Sequence, residues 1–320
     1  MLLLSHRTVL RRRLLNLAIP HLQANFRHAN YLKKHVSEAE DPRLHLIHDE
    51  FATIRSSYEV PKHPIVLAHG VLGFDELRLA GPNLPAIQYW YGIAEALRAK
   101  GCEVITASVP PSGSIERRAE KLAEGIERLG RGKSVNIVAG LDARYMISRL
   151  QPSKVRVLSL TTIATPHRGS SFADYIFKRI GPMNVPKIYK ALNYMNFETE
   201  AFSQLTTDYM AKSFNPRTPD VDSVRYYSYG ASLNPGLLSI FRKSHKIIET
   251  VEGANDGLVS VESSRWGQYK GTLENVSHLD LINWTNRLRW YMWALTGRKR
   301  NFNAIAFYLD IADMLAKERL

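Results

Sequence analysis

The chain has 320 residues, of which 45% are hydrophobic, and this composition fits a soluble globular protein with one large core or two small ones. Its single cysteine, Cys102, excludes an intrachain disulfide and fits a reducing compartment. The formal net charge of +13 would suggest a nucleic-acid-binding protein if it were clustered on a folded surface, but much of it lies at the front of the chain.

Residues 1–37 are rich in leucine and in basic side chains and contain no acidic residue. The basic residues before Glu38 are Arg7, Arg11, Arg12, Arg13, Arg27, Lys33 and Lys34. This composition predicts a mitochondrial targeting segment that can form an amphipathic helix. The alternative is a basic, surface-adsorbing tail on a cytoplasmic protein. No apolar run reaches the roughly 18 residues of a membrane span, so no transmembrane segment is predicted, and the remaining charge is too diffuse to indicate nucleic-acid binding.

Residues 38–61 are polar and of mixed charge and are predicted to be a connector, whereas strands alternate with helices from residue 62 onward. The predicted strands are Pro64–Ala68, Cys102–Val109, Ser134–Ala139, Val155–Thr162, Val224–Tyr229 and His245–Val251. The predicted helices are Tyr91–Lys100, Ser114–Leu129 with Ser114 as N-cap, a helix from Leu141, and Phe302–Leu320. This alternation predicts an α/β fold with a mostly parallel, doubly wound sheet in one domain, residues 62–320.

The pattern changes at about residues 172–222, where large apolar side chains lie on short helical pieces broken by prolines. These side chains are Tyr175, Ile176, Phe177, Ile188, Tyr189, Leu192, Tyr194, Met195, Phe197, Phe202 and Leu205. So much apolar surface on an insertion predicts a helical cap or lid over a site for an apolar substrate. The alternative is an extra helical layer packed on the sheet.

The first strand of the domain ends in the loop His69-Gly70-Val71-Leu72-Gly73-Phe74. A glycine-containing loop at the end of a buried strand can direct backbone N–H groups at one point, which is what an oxyanion requires. A plain strand-to-helix turn with two glycines is the alternative.

Together with this loop, several short motifs resemble the lipases of the bacterial Pseudomonas/Burkholderia type and their fungal mitochondrial relatives, in the α/β-hydrolase superfamily. The resemblance spans about residues 62–290. Its motifs are Leu141-Asp142-Ala143-Arg144, Thr165-Pro166-His167-Arg168-Gly169-Ser170, Tyr227-Ser228-Tyr229, Asn255-Asp256-Gly257 and His278-Leu279-Asp280. The family implies an α/β-hydrolase fold and a serine hydrolase that acts on a lipid ester at a lipid surface.

The resemblance also implies roles for particular residues. Asp256 would orient His278, and His278 would deprotonate a serine that attacks the ester carbonyl. The backbone N–H of Val71 would form part of the oxyanion hole. The side chains implied to contact substrate are Phe74, His167 and Leu258.

The nucleophile elbow of such hydrolases, a G-x-S-x-G turn between strand and helix, is missing. The family has alanine, histidine, serine, methionine, glycine, glycine, leucine and aspartate at this place, whereas Ala139-Gly140-Leu141-Asp142 is four residues shorter. The nearest pattern elsewhere, residues 230–234, lacks the closing glycine. We therefore expect this chain to be catalytically impaired or inactive. The alternative is a non-catalytic protein of the same fold that binds lipid or a protein partner; the oligomeric state is not predicted.

So short a join is expected to fray the end of the strand or to unwind the first turn of the helix, with Gly140 absorbing the distortion.

Bacterial relatives often bind a structural calcium through an aspartate just after the catalytic histidine, a place that Asp280 occupies. Four residues later stands Trp284, which cannot bind a hard cation. Calcium is therefore not expected, and no metal or other cofactor is predicted. The simpler role for Asp280 is that of a capping or surface carboxylate.

Overall fold

The computed structural model describes residues 46–70, 76–77, 87–88, 90, 92–110, 113–130, 132–178, 200–236, 239–283 and 302–320. The chain divides after Leu44, and all of these residues belong to the second unit, His45–Leu320. The predicted targeting segment, residues 1–37, and residues 179–199 of the predicted cap lie outside the described residues.

A seven-stranded sheet forms the centre of this unit. Its strands lie in the order β1-β9-β8-β7-β6-β2-β5, and every neighbouring pair is parallel. The strands are β1 Leu46–Ile47, β2 Ile65–Ala68, β5 Val104–Ala107, β6 Ser134–Val138, β7 Arg156–Ile163, β8 Arg225–Ser232 and β9 Gln268–Glu274, with β3 Glu76–Leu77 and β4 Ile87–Gln88 forming a separate antiparallel pair. The predicted parallel sheet is confirmed.

Helices connect most of these strands. Those with described residues are α1 Ile93–Ala99, α2 Ile115–Gly130, α3 Leu141–Tyr145, α4 residues 171–178, α5 Glu200–Ser203, α6 Thr207–Tyr209, α7 Asn215–Arg217, α8 Arg242–Glu252, α9 Val261–Ser264 and α10 Ala304–Lys317. A π-helical turn, Met146–Leu150, continues α3, and a second, Met210–Phe214, joins α6 to α7. None of the described helices has the length and apolarity needed to cross a membrane.

The strand β2 shows why the sheet is covered on both faces. Its side chains alternate: Ile65 and Leu67 pack into a core with α1 and α10, whereas Val66 and Ala68 pack into a second core with α2 and α3. All four residues are buried. A strand in such a position needs a continuous apolar run instead of an alternating one, which is the pattern that the sequence has here.

The prediction of a strand at His245–Val251 is wrong, because this segment belongs to helix α8. The adjacent β-branched residues Ile247 and Ile248 favour a strand. However, the buried residues of the segment are Ser244, His245 and Ile248, which repeat with the period of a helix. The strand β9 was not predicted, because Gly271 and several polar residues interrupt its apolar pattern.

The residues predicted as a connector contribute to the fold from residue 46 onward. Strand β1 extends the sheet by pairing with β9. On α10, Asp313 accepts hydrogen bonds from the backbone N–H of Glu59 (2.7 Å) and from the guanidinium of Arg55 (3.1 Å). The polar groups of this segment thus bind it to α10. Residues 46–61 are part of the domain.

Candidate functional site

Two loops meet at the carboxyl ends of β8 and β9. The N–H of Leu233, just after β8, donates to the carbonyl of Asn255 (2.8 Å), and the N–H of Val276, just after β9, donates to the carbonyl of Ser232 (3.0 Å). Because neighbouring parallel strands end at the same edge of a sheet, these bonds bring the loop that carries Asp256 to the loop that carries His278.

The structure brings the predicted acid and base together. His278 Nδ1 lies 2.7 Å from Asp256 Oδ2, and the backbone N–H of His278 donates to the Asp256 carbonyl at 3.2 Å. The other carboxylate oxygen, Oδ1, accepts the N–H groups of Leu258 (2.9 Å) and Val259 (2.8 Å). Asp256 is completely buried, whereas the His278 side chain is 32% exposed. The carboxylate is therefore fixed from two sides, and the imidazole can still be reached from solvent.

This geometry sets the protonation of His278. Burial lowers its pKa, but the charge of Asp256 and the hydrogen bond to it outweigh burial, so the pKa of His278 is raised above its ordinary value. In the neutral ring the proton sits on Nδ1 and is donated to Asp256, which leaves the lone pair of Nε2 as a proton acceptor. The pair is thus arranged for general-base chemistry.

Asn255 positions the aspartate of this pair. Asn255 is buried; its amide Nδ2 donates to the carbonyls of His245 (3.2 Å) and Gly253 (3.0 Å), and its Oδ1 accepts from Gly257 N–H (2.9 Å). These bonds shape the turn that presents Asp256. The sequence motif contained Asn255, but its role as the anchor of the turn was not predicted.

Asp280 supports the histidine loop from the other side. Its Oδ2 accepts the N–H (2.9 Å) and hydroxyl (2.7 Å) of Ser277, the residue before His278. In the described ranges, no three His, Cys, Asp or Glu side chains converge on a point where a metal ion could bind. The buried carboxylate of Asp280 accepts both of these hydrogen bonds from Ser277, and the absence of a calcium ion stays a prediction.

The join between β6 and α3 consists of Ala139 and Gly140. The strand shifts register against β7 between Val135 and Asn136 but stays paired with it through Val138; Ala139 N–H donates to the Thr161 carbonyl (3.2 Å), and α3 begins at Leu141. Gly140 adopts φ −123° and ψ −137°. The expected fraying or unwinding therefore does not occur, and the irregular part of this helix is the π-helical turn that follows α3.

Neither residue of this join carries a hydroxyl. A Cβ on Gly140 would lie 3.4 Å from Thr165 Oγ1 and 3.6 Å from Thr165 Cγ2, so the side chain of Thr165 occupies the space beside the glycine. The only serine of β6 is Ser134, at its first residue. Within the described parts of the chain, Asp256 is the sole side-chain hydrogen-bond partner of His278.

A buried ion pair lies directly below this join. Arg118 on α2 is fully buried, and its Nε and Nη2 donate to Asp142 Oδ2 at 3.0 and 2.6 Å. The same guanidinium donates to the carbonyls of His69 (3.2 Å) and Pro110. Arg118 thus connects the ends of β2 and β5 to the start of α3. Sequence analysis named Asp142 but had no signal for Arg118, which lies 24 residues away.

His167, predicted to contact substrate, is fully buried. Arginine can only donate, so the contact of Arg144 Nη1 with His167 Nδ1 (3.2 Å) places the ring proton on Nε2, where it is donated to Thr162 Oγ1 (3.0 Å). The ring also stacks on Trp266 at 5.1 Å. Both ring nitrogens are bonded inside the protein, so His167 has no free ring nitrogen to offer a substrate, and its contact with substrate stays a prediction.

The surroundings keep this histidine neutral. Burial, and then the charges of Arg144 and Arg168, lower the pKa of His167 well below its ordinary value. Arg144 is itself buried 3.6 Å from the centroid of the Trp266 ring, and burial lowers its pKa to about 10. Its guanidinium donates to Asn215 Oδ1 (3.1 Å) and to the Thr218 carbonyl (3.2 Å), which fixes the end of the predicted cap to α3.

Three residues predicted to contact the oxyanion or the substrate remain: Val71, Phe74 and Leu258. Val71 and Phe74 lie outside the described residues, and their roles stay predictions. Leu258 is partly exposed beside Asp256, and its carbonyl accepts the Ser170 hydroxyl at 2.7 Å. A contact between its side chain and substrate also stays a prediction.

The proteins of similar sequence described next are both triacylglycerol lipases. The chain is 37% identical over 316 residues to triacylglycerol lipase 2 of Saccharomyces cerevisiae, which covers 83% of this chain and 94% of that protein. It is 28% identical over 270 residues to a triacylglycerol lipase of Vibrio cholerae, which covers 72% of this chain and 83% of that protein. No family model matches the chain.

Solved structures agree on the fold. The lipase of Staphylococcus hyicus superposes with a TM-score of 0.58 at 19% identity and covers 83% of this chain and 98% of its own. A metagenomic carboxyl esterase superposes with a TM-score of 0.62 at 17% identity and covers 83% of this chain and 79% of its own. The predicted α/β-hydrolase fold is confirmed.

Proposed function

The chain belongs to the triacylglycerol lipase family, and we propose that it is a member whose acid and base are assembled but whose nucleophilic serine is missing. Ester hydrolysis is then impaired or lost, and lipid esters are bound without efficient cleavage. The main support is the length of the join at Ala139 and Gly140, where no serine stands between strand and helix.

Distance decides whether another serine could replace the missing one. General-base transfer needs the hydroxyl oxygen within about 3 Å of His278 Nε2. Ser134 begins β6, and at about 3.3 Å per residue it lies roughly 13 Å from the carboxyl end of that strand. It therefore cannot reach the histidine at the opposite edge of the sheet.

Two other serines approach the aspartate loop. Ser170 uses its hydroxyl to bind the Leu258 carbonyl. The N–H of Ser171 donates to Glu252 Oε1 (2.6 Å), and its hydroxyl is buried with no hydrogen-bond partner in the described structure. Neither hydroxyl contacts His278, so neither is activated as a nucleophile by the assembled pair.

The test combines a fluorophosphonate probe with hydrolysis of a short-chain nitrophenyl ester. We expect the 320-residue protein to remain unlabelled. Inserting histidine, serine, methionine and glycine after Ala139 should restore labelling and raise turnover by up to about a million-fold, the loss seen when a triad serine is removed in a protease. The matched control is the same insertion with alanine in place of serine, which restores length without a hydroxyl.

Two results would contradict this proposal. Labelling of any serine in the unaltered chain would show that a nucleophile is present, and Ser171→Ala would then test the buried hydroxyl that has no hydrogen-bond partner in the described structure. A serine insertion that folds but stays as inactive as its alanine control would show that the rest of the site is incompetent. That result favours a non-catalytic protein that binds lipid or a protein partner.

A further inference from the structure

Helix α8 carries an apolar stripe that points to solvent. Ile240, in the turn before the helix, is 78% exposed, and Val251 in its last turn is 69% exposed. These are the two most exposed large hydrophobic residues in the described chain. Ile247 is partly exposed between them. Spacings of seven and four residues place the three side chains on one face of the helix.

Basic side chains border this stripe. Lys243 and Lys246 are exposed on α8 to one side of the stripe. Lys243 and Lys246 form no ion pair with any described residue, in contrast to Lys121 and Lys212, which pair with Glu124 and Asp208. An exposed apolar stripe with unpaired lysines beside it is typical of a helix that lies in a membrane interface.

The helix is fixed to the loop that holds the acid. Phe241 packs against Gly257, where a Cβ would lie 2.6 Å from its ring, and Asn255 donates to the carbonyl of His245. Both contacts join α8 to residues next to Asp256. The exposed stripe therefore lies at the same carboxyl edge of the sheet as His278.

We propose that α8 binds an anionic phospholipid surface, with Ile240 and Val251 inserted at the boundary of headgroups and acyl chains and with Lys243 and Lys246 among the headgroups. Three apolar side chains are far too few for a stable protein interface, which buries about 800 Å² on each partner. A shallow apolar wedge with adjacent lysines suffices for a membrane, because each lysine near an anionic leaflet adds binding energy. The biological reason for such binding rests on the proposed function, but its test does not use hydrolysis.

A site-specific fluorescent label tests the insertion. Cys102 is the only cysteine and is buried, so Ile240→Cys gives one accessible thiol for an environment-sensitive dye. The matched control is Leu129→Cys. Leu129 is 44% exposed at the end of α2 that leads into β6, at the opposite edge of the sheet. With vesicles of phosphatidylcholine and phosphatidylglycerol, nitroxide-labelled acyl chains should quench the dye at residue 240 and not at residue 129.

Charge variants test the lysines. We expect Lys243→Gln/Lys246→Gln to weaken partitioning into anionic vesicles by about 25-fold at low salt and to have little effect with phosphatidylcholine alone. The control is Lys133→Gln/Lys154→Gln, which removes the same charge from the amino edge of the sheet. Both variants keep residues 1–37, so binding through that basic segment cannot account for a difference between them.

Three outcomes would overturn the inference. If vesicles bind while the dye at residue 240 stays unquenched, binding belongs to another surface. If the two charge variants lose affinity equally, the response is to net charge alone. If the dye is shielded from an aqueous quencher before vesicles are added, in proportion to protein concentration, a second copy of the chain covers α8.

Discussion

Two buried carboxylates of the site, Asp256 and Asp142, have partners that compensate their charge. Asp256 is held by His278 and by two backbone N–H groups, and Asp142 is held by Arg118. A charge in the protein interior is expensive unless it is paired and hydrogen-bonded. Arg118 and Asp142 join α2 to the start of α3, so this pair fixes backbone positions beside the join, whereas Asp256 also orients the base His278.

The pair formed by Arg118 and Asp142 gives a test of this role. Asp142→Ala should lower the free energy of unfolding by about 3–5 kcal/mol, because it leaves the guanidinium of Arg118 buried without its carboxylate. Arg118→Met/Asp142→Leu should recover about half of that loss, because no charge is left but the carbonyls of His69 and Pro110 still lose their donor. Urea denaturation measures both values. A single variant as stable as the parent chain would contradict this assignment.

Among the elements, α8 is joined to the aspartate loop by the contact between Phe241 and Gly257. Gly253 and Gly257, which follow α8, both adopt left-handed backbone angles, with φ of +87° and +102°. A Cβ on Gly253 would meet nothing within 4 Å, whereas a Cβ on Gly257 would lie 2.6 Å from Phe241. The two glycines therefore separate the cost of backbone strain from the cost of a clash.

Alanine substitutions exploit this difference. Gly253→Ala should cost about 1–3 kcal/mol of stability through its backbone angle alone, and Gly257→Ala should cost about 1–3 kcal/mol more by displacing Phe241. Only Gly257→Ala should also shift the pKa of His278 back toward its ordinary value, since it moves Asp256. Urea denaturation and an NMR titration of the His278 ring provide the two measurements. Equal effects of the two substitutions would show that Phe241 does not hold the loop.

The same elements show what the sequence could predict. Continuous apolar strands such as β2, and helices with clear caps such as α2, follow from local pattern, and Ser114 does cap α2 by accepting the N–H of Arg117 at 3.2 Å. Strand β9 and helix α8 could not be predicted in this way. The structure of β9 comes from pairing with β8 and β1, and that of α8 from packing on the aspartate loop. The sequence also identified Asp256 and His278, whereas Arg118 needed the fold to reveal its partner.

For the whole molecule, two histidines couple folding to pH in opposite directions. The pKa of His167 is lowered in the folded state, so below about pH 6.5 the unfolded chain binds a proton that the folded chain does not. The pKa of His278 is raised, so the folded chain binds its proton more tightly. His278 therefore adds stability that is fully present below about pH 6.5 and is lost as the pH rises through its folded-state pKa.

Urea denaturation over a pH series should separate these contributions. Relative to His167→Gln, the parent chain should lose up to about 1.4 kcal/mol of stability for each pH unit below about 6.5, because a single group exchanges one proton on unfolding. Relative to His278→Gln, the parent chain should instead gain stability as the pH falls through the folded-state pKa of His278 to about 6.5, and this gain should level off below that pH. The test is the slope of the difference in free energy of unfolding against pH. A constant offset that either substitution causes does not affect this slope. If the His167→Gln difference stayed flat in acid, this ring would be charged in the folded protein, and its hydrogen bonds to Arg144 and Thr162 would have to be rearranged.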